Sequence, residues 1–232
     1  EFDKVIDIWG ADHHGDVKRI KGFVRALGYA DKFDIILHQF VRLLKNGKEM
    51  RMSKRKGIYV LTDDLLKKVG RDVFRFFMLQ YSVNSHLDFD LDRALERSEK
   101  NPVFYVQYAN ARISSILKKA QSATPLQTIR LGSPSARRAH YKLLTHPTEL
   151  TLIKQLIKFP DLVKEISQDY QVQKLSFYAI GLADRFHNFY EKCRVISKNS
   201  QKQQARLALI SACQIVLKNC LEIIGVSAPE KM

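Results

Sequence analysis

The chain has 232 residues, of which 45% are hydrophobic, and it carries 39 Lys and Arg against 24 Asp and Glu, a formal net charge of +15. This composition is ordinary for a soluble protein with one or two cores, and we find no long uncharged apolar segment and no signal peptide, so we expect no membrane association. The positive charge indicates a polyanionic partner, most commonly a nucleic acid. Cys193, Cys213 and Cys220 form no C-x-x-C motif, which favours a reducing, cytoplasmic location.

The first predicted element is a strand followed by a Gly-bounded turn and a helix. Residues 5–9 form a short apolar run that predicts a buried parallel strand. A stretch with helical period follows from about Asp16 to Leu27, and Gly28 is predicted to cap its C-terminus. In such a layout, ligands bind beyond the carboxyl end of the strand.

The turn between these elements reads Gly-Ala-Asp-His-His-Gly at positions 10–15. Gly10 allows the backbone to approach a ligand closely, Asp12 can bind a ribose hydroxyl or an ammonium group, and a helix start offers free amides. The alternative is a tight turn with an Asp-based cap and two exposed histidines, His13 and His14. Adjacent His side chains diverge, and no Cys or carboxylate pair lies at ligand spacing, so we predict no metal site.

A basic loop follows a predicted hairpin whose turn is Asn46-Gly47. Seven Lys or Arg residues against one Glu lie between Arg42 and Gly57. In a mobile loop, Ser53 and the backbone amides can donate hydrogen bonds to phosphate oxygens, and Lys54 supplies a compact positive charge. A solvated edge or a non-specific nucleic-acid patch is the alternative for such a run.

Beyond this loop the sequence is predicted to be mainly helical. Thr62 or Asp63 is expected to cap a short helix that ends near Gly70, and a second helix is expected from Asp72 to Gln80. From Leu91 onward the helical pattern is interrupted at Pro102, Pro125 to Pro147, Pro160 and Lys198 to Ser200. The segment 123–147 is the predicted linker. Apolar residues at three- and four-residue spacing near 174–195 and 203–224 favour a helical bundle.

The 10–15 turn and the basic loop together resemble the class I aminoacyl-tRNA synthetases, and closely the arginyl-tRNA synthetases of bacterial type. The family's Gly-Ala-Asp-His-His-Gly stands at 10–15. Its Lys-Met-Ser-Lys-Ser loop stands at 51–55, with Arg51 for the first Lys and Arg55 for the last Ser. Further segments that are similar to the family are 69–77, 87–92, 101–113 and 225–232.

The resemblance implies a mainly α chain with three parts. Residues 1–60 would be the C-terminal half of a class I doubly wound α/β nucleotide-binding domain, 61–100 connecting helices, and 101–232 an all-α anticodon-binding bundle. The His-x-Gly-His motif of class I synthetases does not occur in the sequence. We therefore expect the first half of the active site, and most arginine-selecting residues, to lie in a preceding part of a longer enzyme.

The activity implied by the resemblance is the ATP-dependent attachment of arginine to its tRNA through arginyl-adenylate, performed by the full-length parent. Lys54 would hold the leaving phosphates, with Ser53, Arg51 and Arg55 as further catalytic residues. The implied ATP-binding residues are Gly10, Asp12, His13, His14 and Met52. The expected partners are ATP with Mg²⁺, arginine and arginine tRNA, and we expect a monomer without a tightly bound, protein-ligated metal.

One base defines the expectation for the bundle. Every arginine codon has G at its second position, so every arginine tRNA has C at the middle of its anticodon. Tyr108 and Arg112 stand four residues apart on one helical face, where Tyr108 could stack on that base and Arg112 could donate to its O2 and N3. The resemblance implies these positions and Met232, whose side chain would close the pocket. Half-buried packing of Tyr108 and a surface ion pair of Arg112 are the alternatives.

Some other residues are predicted to be structural. Asp184, Arg185, His187 and Tyr190 lie on one predicted helix and favour a buried polar network or a solvated face over catalysis. Tyr105 is expected in the core. Trp9 is expected in core packing or in a pocket wall.

Two rival classes of protein remain. A stand-alone basic RNA-binding module derived from a synthetase would keep the bundle and lose the chemistry, and the Lys54 loop argues against it because a pure RNA binder needs no ATP clamp. A nucleotide-binding enzyme outside the synthetases is disfavoured because Gly-x-Gly-x-x-G and Walker motifs are absent from the sequence.

Overall fold

The computed structural model describes residues 2–50, 60–123 and 142–232, with side chains omitted at 121–123. The basic loop and most of the predicted linker lie outside these residues. The strands are β1 (Val5–Gly10), β2 (Phe33–His38), β3 (Val41–Lys45), β4 (Lys48–Glu49) and β5 (Leu87–Asp90). The α-helices are α1 (Val17–Ala26), α2 (Thr62–Val69), α3 (Arg71–Met78), α4 (Leu91–Leu95), α5 (Pro102–Ala123), α6 (Pro147–Ile157), α7 (Phe159–Asp169), α8 (Gln173–Lys192) and α9 (Ser200–Ile223).

β1 and β2 form a parallel pair, in register from Val5 opposite Phe33 to Gly10 opposite His38. A 3-10 helix (Ala11–Asp16) and α1 connect the two strands. Gly28 follows α1 with φ 86° and donates its N–H to the Arg25 carbonyl at 3.0 Å, as predicted for a glycine that ends a helix. The parallel strand, the helix and its cap are therefore confirmed.

The predicted burial of β1 is wrong. Val5, Ile6 and Ile8 are exposed, Ile8 by 66%. Within the described part of the chain β2 is the sole strand neighbour of β1, and α1 has no buried residue. An apolar strand is buried only where other elements cover its faces, and here those faces lack a covering layer.

A second sheet has the order β4-β3-β5, with β4 antiparallel and β5 parallel to β3. The β3–β4 turn places Asn46 at φ 52° and Gly47 at φ 68°, the conformation of a tight hairpin turn that these two residue types favour. At the opposite edge of the sheet, Phe89 of β5 is fully buried, and its ring centroid lies 5.5 Å from that of Phe77 on α3. The predicted hairpin is confirmed.

α2 and α3 meet at Gly70, which has φ 82°, so the predicted end of the first helix is confirmed. The predicted cap is wrong. Leu61 occupies the N-cap position without a side-chain hydrogen bond, and Thr62 is the first helical residue. The helix therefore starts one residue earlier than a cap at Thr62 would place it, a difference of the size that is common at helix ends.

Helices α5 to α9 form the predicted bundle. The predicted interruptions at Pro102 and Pro147 are helix starts, since Pro102 opens α5 and Pro147 opens α6. The buried core includes Val106 and Ile113 of α5, together with fully buried residues of the later helices, among them Leu152, Leu182, Phe186, Ile210, Cys213 and Leu217. Among the described helices, none combines the length and apolar character needed to cross a bilayer.

A buried ion pair joins three parts of the bundle. Glu149 on α6 is fully buried, and its Oε1 lies 2.7 Å from Nε of Arg206 on α9. Its Oε2 accepts the N–H of His146 at 2.9 Å. The Arg206 guanidinium also donates to the carbonyl of Arg194, just beyond α8, at 2.8 Å. The pair therefore fixes the path of the chain where α8 ends.

Candidate nucleic-acid interface

A cavity of about 690 Å³ lies between α5, the end of α8 and the end of the chain. It brings together Tyr108, Arg112 and Met232, the three residues predicted to bind the anticodon. The other residues that line it are Ala111, Ser115, Ile116, Lys119, Tyr190, Glu191, Arg194, Val195, Ile196 and Lys231. Its size falls in the range of about 300–1,000 Å³ that is typical of small-ligand sites.

The Arg112 side chain lies against two aromatic rings. Its Cζ is 4.3 Å from the centroid of the Tyr190 ring and 5.7 Å from that of Tyr108. The quadrupole of each ring attracts the guanidinium, which holds the side chain without consuming its N–H donors. Arg112 thus takes part in a cation–π contact rather than in the surface ion pair considered from the sequence.

Tyr108 is supported from behind by His187. The two rings are stacked, with centroids 5.8 Å apart and planes inclined by 22°, while Tyr108 remains 41% exposed. Burial, and secondarily the nearby Arg112, lowers the pKa of His187 below its usual value, which favours a neutral ring under Tyr108. Tyr108 is therefore partly exposed and backed by a second ring, which suits a stacking surface.

The polar residues around His187 play supporting roles. Tyr105 lies 5.0 Å from the His187 ring and donates its hydroxyl to Asp184 at 3.4 Å. Burial, with Asp184 beside it, raises the pKa of Tyr105 to about 12. Arg185 donates to the Gly181 carbonyl in its own helix. Tyr105, Asp184 and His187 are therefore in contact, while Asp184 is exposed and Tyr105 only partly buried. Of the two alternatives, the arrangement is closer to a solvated face than to a buried network.

The C-terminal segment, residues 224–232, is held against α5 by side-chain amides. Asn110, which is fully buried, donates to the carbonyls of Ala228 at 3.0 Å and Pro229 at 2.7 Å. Gln107 donates to the Ser227 carbonyl at 3.0 Å. One helix therefore carries both Tyr108 and Arg112 and the amides that bring Met232 to the cavity.

Glu230 adds two ion pairs to the C-terminal segment. Its carboxylate lies 2.9 Å from Nζ of Lys218 on α9 and 3.2 Å from Nζ of Lys118 on α5. The two ammonium groups lower the pKa of Glu230, Lys218 more than Lys118. All three side chains are well exposed to solvent, so these pairs orient the segment more than they stabilise it.

The sequence missed Tyr190, Lys119, Glu191 and Arg194 as cavity residues. The sequence places Tyr190 in the polar cluster of its own helix, because the spacing of residues reports neighbours only within that helix. Its contact with Arg112 joins α8 to α5, and a helical period does not report contacts between helices. A signal for Lys119 did exist, since it lies seven residues after Arg112 on the same helical face.

A second cavity, of about 540 Å³, is lined by Ile8, Trp9, Gly10, His13, Asp16, Arg19 and Ile20. Of the predicted ATP-binding residues, Gly10 and His13 line it, and Trp9 forms part of the wall. Asp12 lies beside His13, with Oδ2 3.8 Å from Nε2, and a side chain at position 10 would collide with its carboxylate. His14 is exposed and absent from the lining.

The start of the first helix differs from the prediction. Because the 3-10 helix (Ala11–Asp16) precedes α1, the unpaired amides lie at its beginning rather than near Asp16. Within residues 2–50, 60–123 and 142–232, no three His, Cys, Asp or Glu side chains converge as a metal site would require. Arg51, Met52, Ser53, Lys54 and Arg55 lie outside the described residues.

Comparison with known proteins identifies the class of the bundle. Residues 106–232 match the family model described as the DALR anticodon binding domain. This match covers more than half of the chain, and it contains the Tyr108–Arg112 cavity. The chain therefore belongs to the DALR anticodon-binding domain family.

Relatives that match the chain over its whole length define a narrower class of protein. The arginine–tRNA ligase of Moorella thermoacetica is 47% identical over 100% of this chain and 40% of its own length, and that of Heliobacterium modesticaldum is 46% identical over 100% and 41%. The chain thus spans about two-fifths of the length of these relatives. The resemblance to arginyl-tRNA synthetases is confirmed.

Solved structures agree with this assignment. A Campylobacter jejuni protein described as an arginyl-tRNA synthetase superposes with a TM-score of 0.82 at 28% identity, over 99% of this chain and 48% of its own. The Thermus thermophilus arginyl-tRNA synthetase superposes with a TM-score of 0.73 at 22% identity, over 99% and 41%. The second likeness shows the fold, and both confirm the mainly helical architecture.

The attachment of the C-terminal segment can be tested by the rate at which carboxypeptidase removes its last residues. Asn110→Ala removes two buried hydrogen bonds, which together stabilise the segment by about 1–3 kcal/mol. Glu230→Gln removes only exposed ion pairs. Carboxypeptidase acts on the transiently opened segment, so we expect Asn110→Ala to accelerate removal of residues 230–232 by about tenfold, and Glu230→Gln much less.

Glu222→Gln, on the exposed face of α9, is the matched control and should leave the cleavage rate unchanged. Circular dichroism checks that each variant keeps its helices. A Glu230 variant that is cleaved as fast as the Asn110 variant would contradict the proposed attachment.

Proposed function

We propose that this chain is the part of an arginine–tRNA ligase that reads the tRNA anticodon and completes the ATP site. Residues 101–232 bind the anticodon, 1–60 belong to the catalytic domain, and 61–100 connect the two. The observation that carries this proposal is the convergence of Tyr108, Arg112 and Met232 on one cavity in a DALR anticodon-binding domain.

The cavity suits cytosine by its hydrogen-bonding pattern. A guanidinium offers donors only, and the O2 and N3 atoms of cytosine are both acceptors. Uracil presents an N3–H donor at the same place, which would face the donors of Arg112. Because Tyr190 holds Arg112 in place by a cation–π contact at 4.3 Å, a mismatched base cannot be accommodated without disturbing that contact. Arg112 is the residue that discriminates.

Tyr108 and Met232 contribute affinity more than discrimination. A ring stacks on any base, and Tyr108 is already aligned by His187. An ordered stacking surface loses little conformational entropy when the base arrives. Met232, whose side chain is flexible, covers the base from the C-terminal segment.

The catalytic part follows two steps. The arginine carboxylate attacks the α-phosphate of ATP, which gives arginyl-adenylate and pyrophosphate. The terminal ribose hydroxyl of tRNA then attacks the carbonyl carbon of the adenylate, which forms arginyl-tRNA and releases AMP. Lys54 neutralises charge on the leaving β,γ-phosphates, assisted by Ser53, Arg51 and Arg55. The adenosine side is formed by Gly10, Asp12, His13, His14 and Met52.

The remaining partners follow from the same chemistry. Mg²⁺ usually binds through substrate phosphates and a few carboxylates rather than in an all-protein cage, so ATP would bring the ion with it. Arginine and arginine tRNA are the other substrates. The enzyme acts as a monomer in the cytoplasm.

The reading of the middle anticodon base is tested by hairpins that carry cytosine or uracil at that position. Tyr108→Ala should weaken the binding of both hairpins, by about 1–3 kcal/mol for a lost stacking contact. Arg112→Ala should abolish most of the preference for cytosine, because it removes the donors to O2 and N3. Affinities are measured at matched ionic strength, since the charge of the chain makes binding salt-dependent.

Arg112→Lys is the matched control, because it keeps the charge and loses the planar pair of donors. It should retain most of the affinity and lose most of the preference. Equal weakening of both hairpins by every variant would mean that these residues contact only the backbone. The chain would then be a non-specific RNA binder.

Lys54 is tested in the full-length parent by arginine-dependent ATP–pyrophosphate exchange. Lys54→Ala should lower the maximal rate by roughly 10²-fold, the scale of losing one preorganised charge donor, with little change in the affinity for arginine. Lys45→Ala, on β3 outside the loop, should be almost silent. A Lys54 variant with normal exchange would show that the loop is only a charged surface.

A further inference from the structure

The cavity lined by Tyr108, Arg112 and Met232, here called the anticodon cavity, carries more positive charge than the binding of one uncharged base requires. Among the residues that the structure describes, four cationic side chains line it, Arg112, Lys119, Arg194 and Lys231, against one acidic side chain, Glu191. A cytosine base is uncharged and is satisfied by Arg112 together with an aromatic surface. The cavity, at about 690 Å³, also has the size of a site for a drug-sized molecule rather than for one small ring. Both its charge and its volume leave room for a further, anionic group.

Arg194 is directed into the cavity by the backbone around it. Its neighbours Cys193 and Val195 are buried, with 1% and 2% exposure, and Cys193 has an extended conformation at φ −125° and ψ 108°. In an extended chain successive side chains point to opposite sides. Since Cys193 and Val195 face the core, Arg194 faces outward, and it lines the cavity.

The position of Arg194 is fixed by the buried ion pair of the bundle. Arg206 donates to its carbonyl at 2.8 Å, and Arg206 is itself held by the fully buried Glu149 at 2.7 Å. The end of a helix usually frays, but this one is tied to α6 and α9. Arg194 is therefore a cation on a rigid segment.

Lys119 approaches the same cavity from α5. It lies seven residues after Arg112 and four after Ser115, so the three residues share one face of the helix, and all of them line the cavity. Arg194 and Lys119 thus come from two separate elements. The base-contacting end of the cavity lies at Tyr108 and Arg112, and the Lys119 end lies about two turns further along α5.

We propose that Lys119 and Arg194 form an anion subsite for one backbone phosphate adjacent to the base that Tyr108 and Arg112 hold. The guanidinium can bind two phosphate oxygens at once, and the ammonium adds a point charge. Glu191 opposes an anion, but the lining keeps a net positive charge. The subsite rests on the proposed function, because the phosphate belongs to the nucleotide that the cavity reads.

A local probe is needed because a chain of net charge +15 attracts phosphates everywhere. Anticodon hairpins with the middle cytosine are made with one uncharged methylphosphonate, either directly 5′ or directly 3′ of that base. Against wild type, one of these two hairpins should bind about fivefold more weakly than the unmodified hairpin, and the other should be almost unchanged.

The variants Arg194→Gln and Lys119→Gln test whether these two residues contact the phosphate whose replacement weakens binding. Each should weaken the unmodified hairpin by about threefold and reduce the methylphosphonate effect, and the variant with both substitutions should bind the sensitive methylphosphonate hairpin no worse than the unmodified one. The slope of log affinity against log salt should fall by about 0.7 for one lost contact with single-stranded phosphate. Lys192→Gln, an exposed cation on α8 outside the cavity, is the matched control and should keep the full methylphosphonate effect.

The preference for cytosine over uracil separates the failure of this inference from the failure of the proposed function. Both glutamine variants should keep that preference, because Arg112 is intact. If wild type shows the preference but the methylphosphonate effect is absent, or persists at full size in the variant with both substitutions, the subsite is wrong and base reading stands. If wild type shows no preference and no local phosphate effect, both are wrong. Thermal unfolding verifies that Arg194→Gln, which keeps its backbone carbonyl, is folded.

Discussion

The ion pair between Glu149 and Arg206 is the interaction on which the binding surface depends. It is buried, with the two charged atoms 2.7 Å apart, and such a pair adds little net stability because both ions lose their hydration. Removing one partner, by contrast, costs about 3–5 kcal/mol. The main effect of the pair is to fix the relative positions of the segments that it joins. It ties α6 and α9 to the chain beyond α8, where Arg194, Val195 and Ile196 form one wall of the cavity.

The opposite wall is built on α5, which uses two of its faces. Tyr108 and Arg112 are turned toward the cavity, while Gln107 and Asn110 hold the C-terminal segment. The cavity is therefore assembled from segments that are distant in sequence, each fixed by buried groups. This arrangement suits the reading of a single base, since discrimination requires that the donors stay in place when the wrong base enters.

The sequence predicted local features well, because they are decided by a few adjacent residues. Gly28, the Asn46-Gly47 turn and the helix starts at Pro102 and Pro147 are all where the backbone preferences of these residues place them. The sequence did not predict features that depend on contacts between distant elements, such as the exposure of β1. Of the candidate site, the four-residue spacing placed Tyr108 and Arg112 on one face, whereas Tyr190 and Arg194 were missed because packing between helices selects them. The roles of the 51–55 residues stay predictions.

Entry of an anticodon base into the cavity beside Met232 can be observed directly at that methionine. The chain has four methionines, so methyl-labelled methionine gives a spectrum in which Met78, packed against the core, serves as an internal reference. Titration with the cytosine hairpin should shift the Met232 methyl signal strongly through the ring current of the base, and leave Met78 in place. A Met232 signal that stays unchanged when the hairpin is saturating would contradict the account.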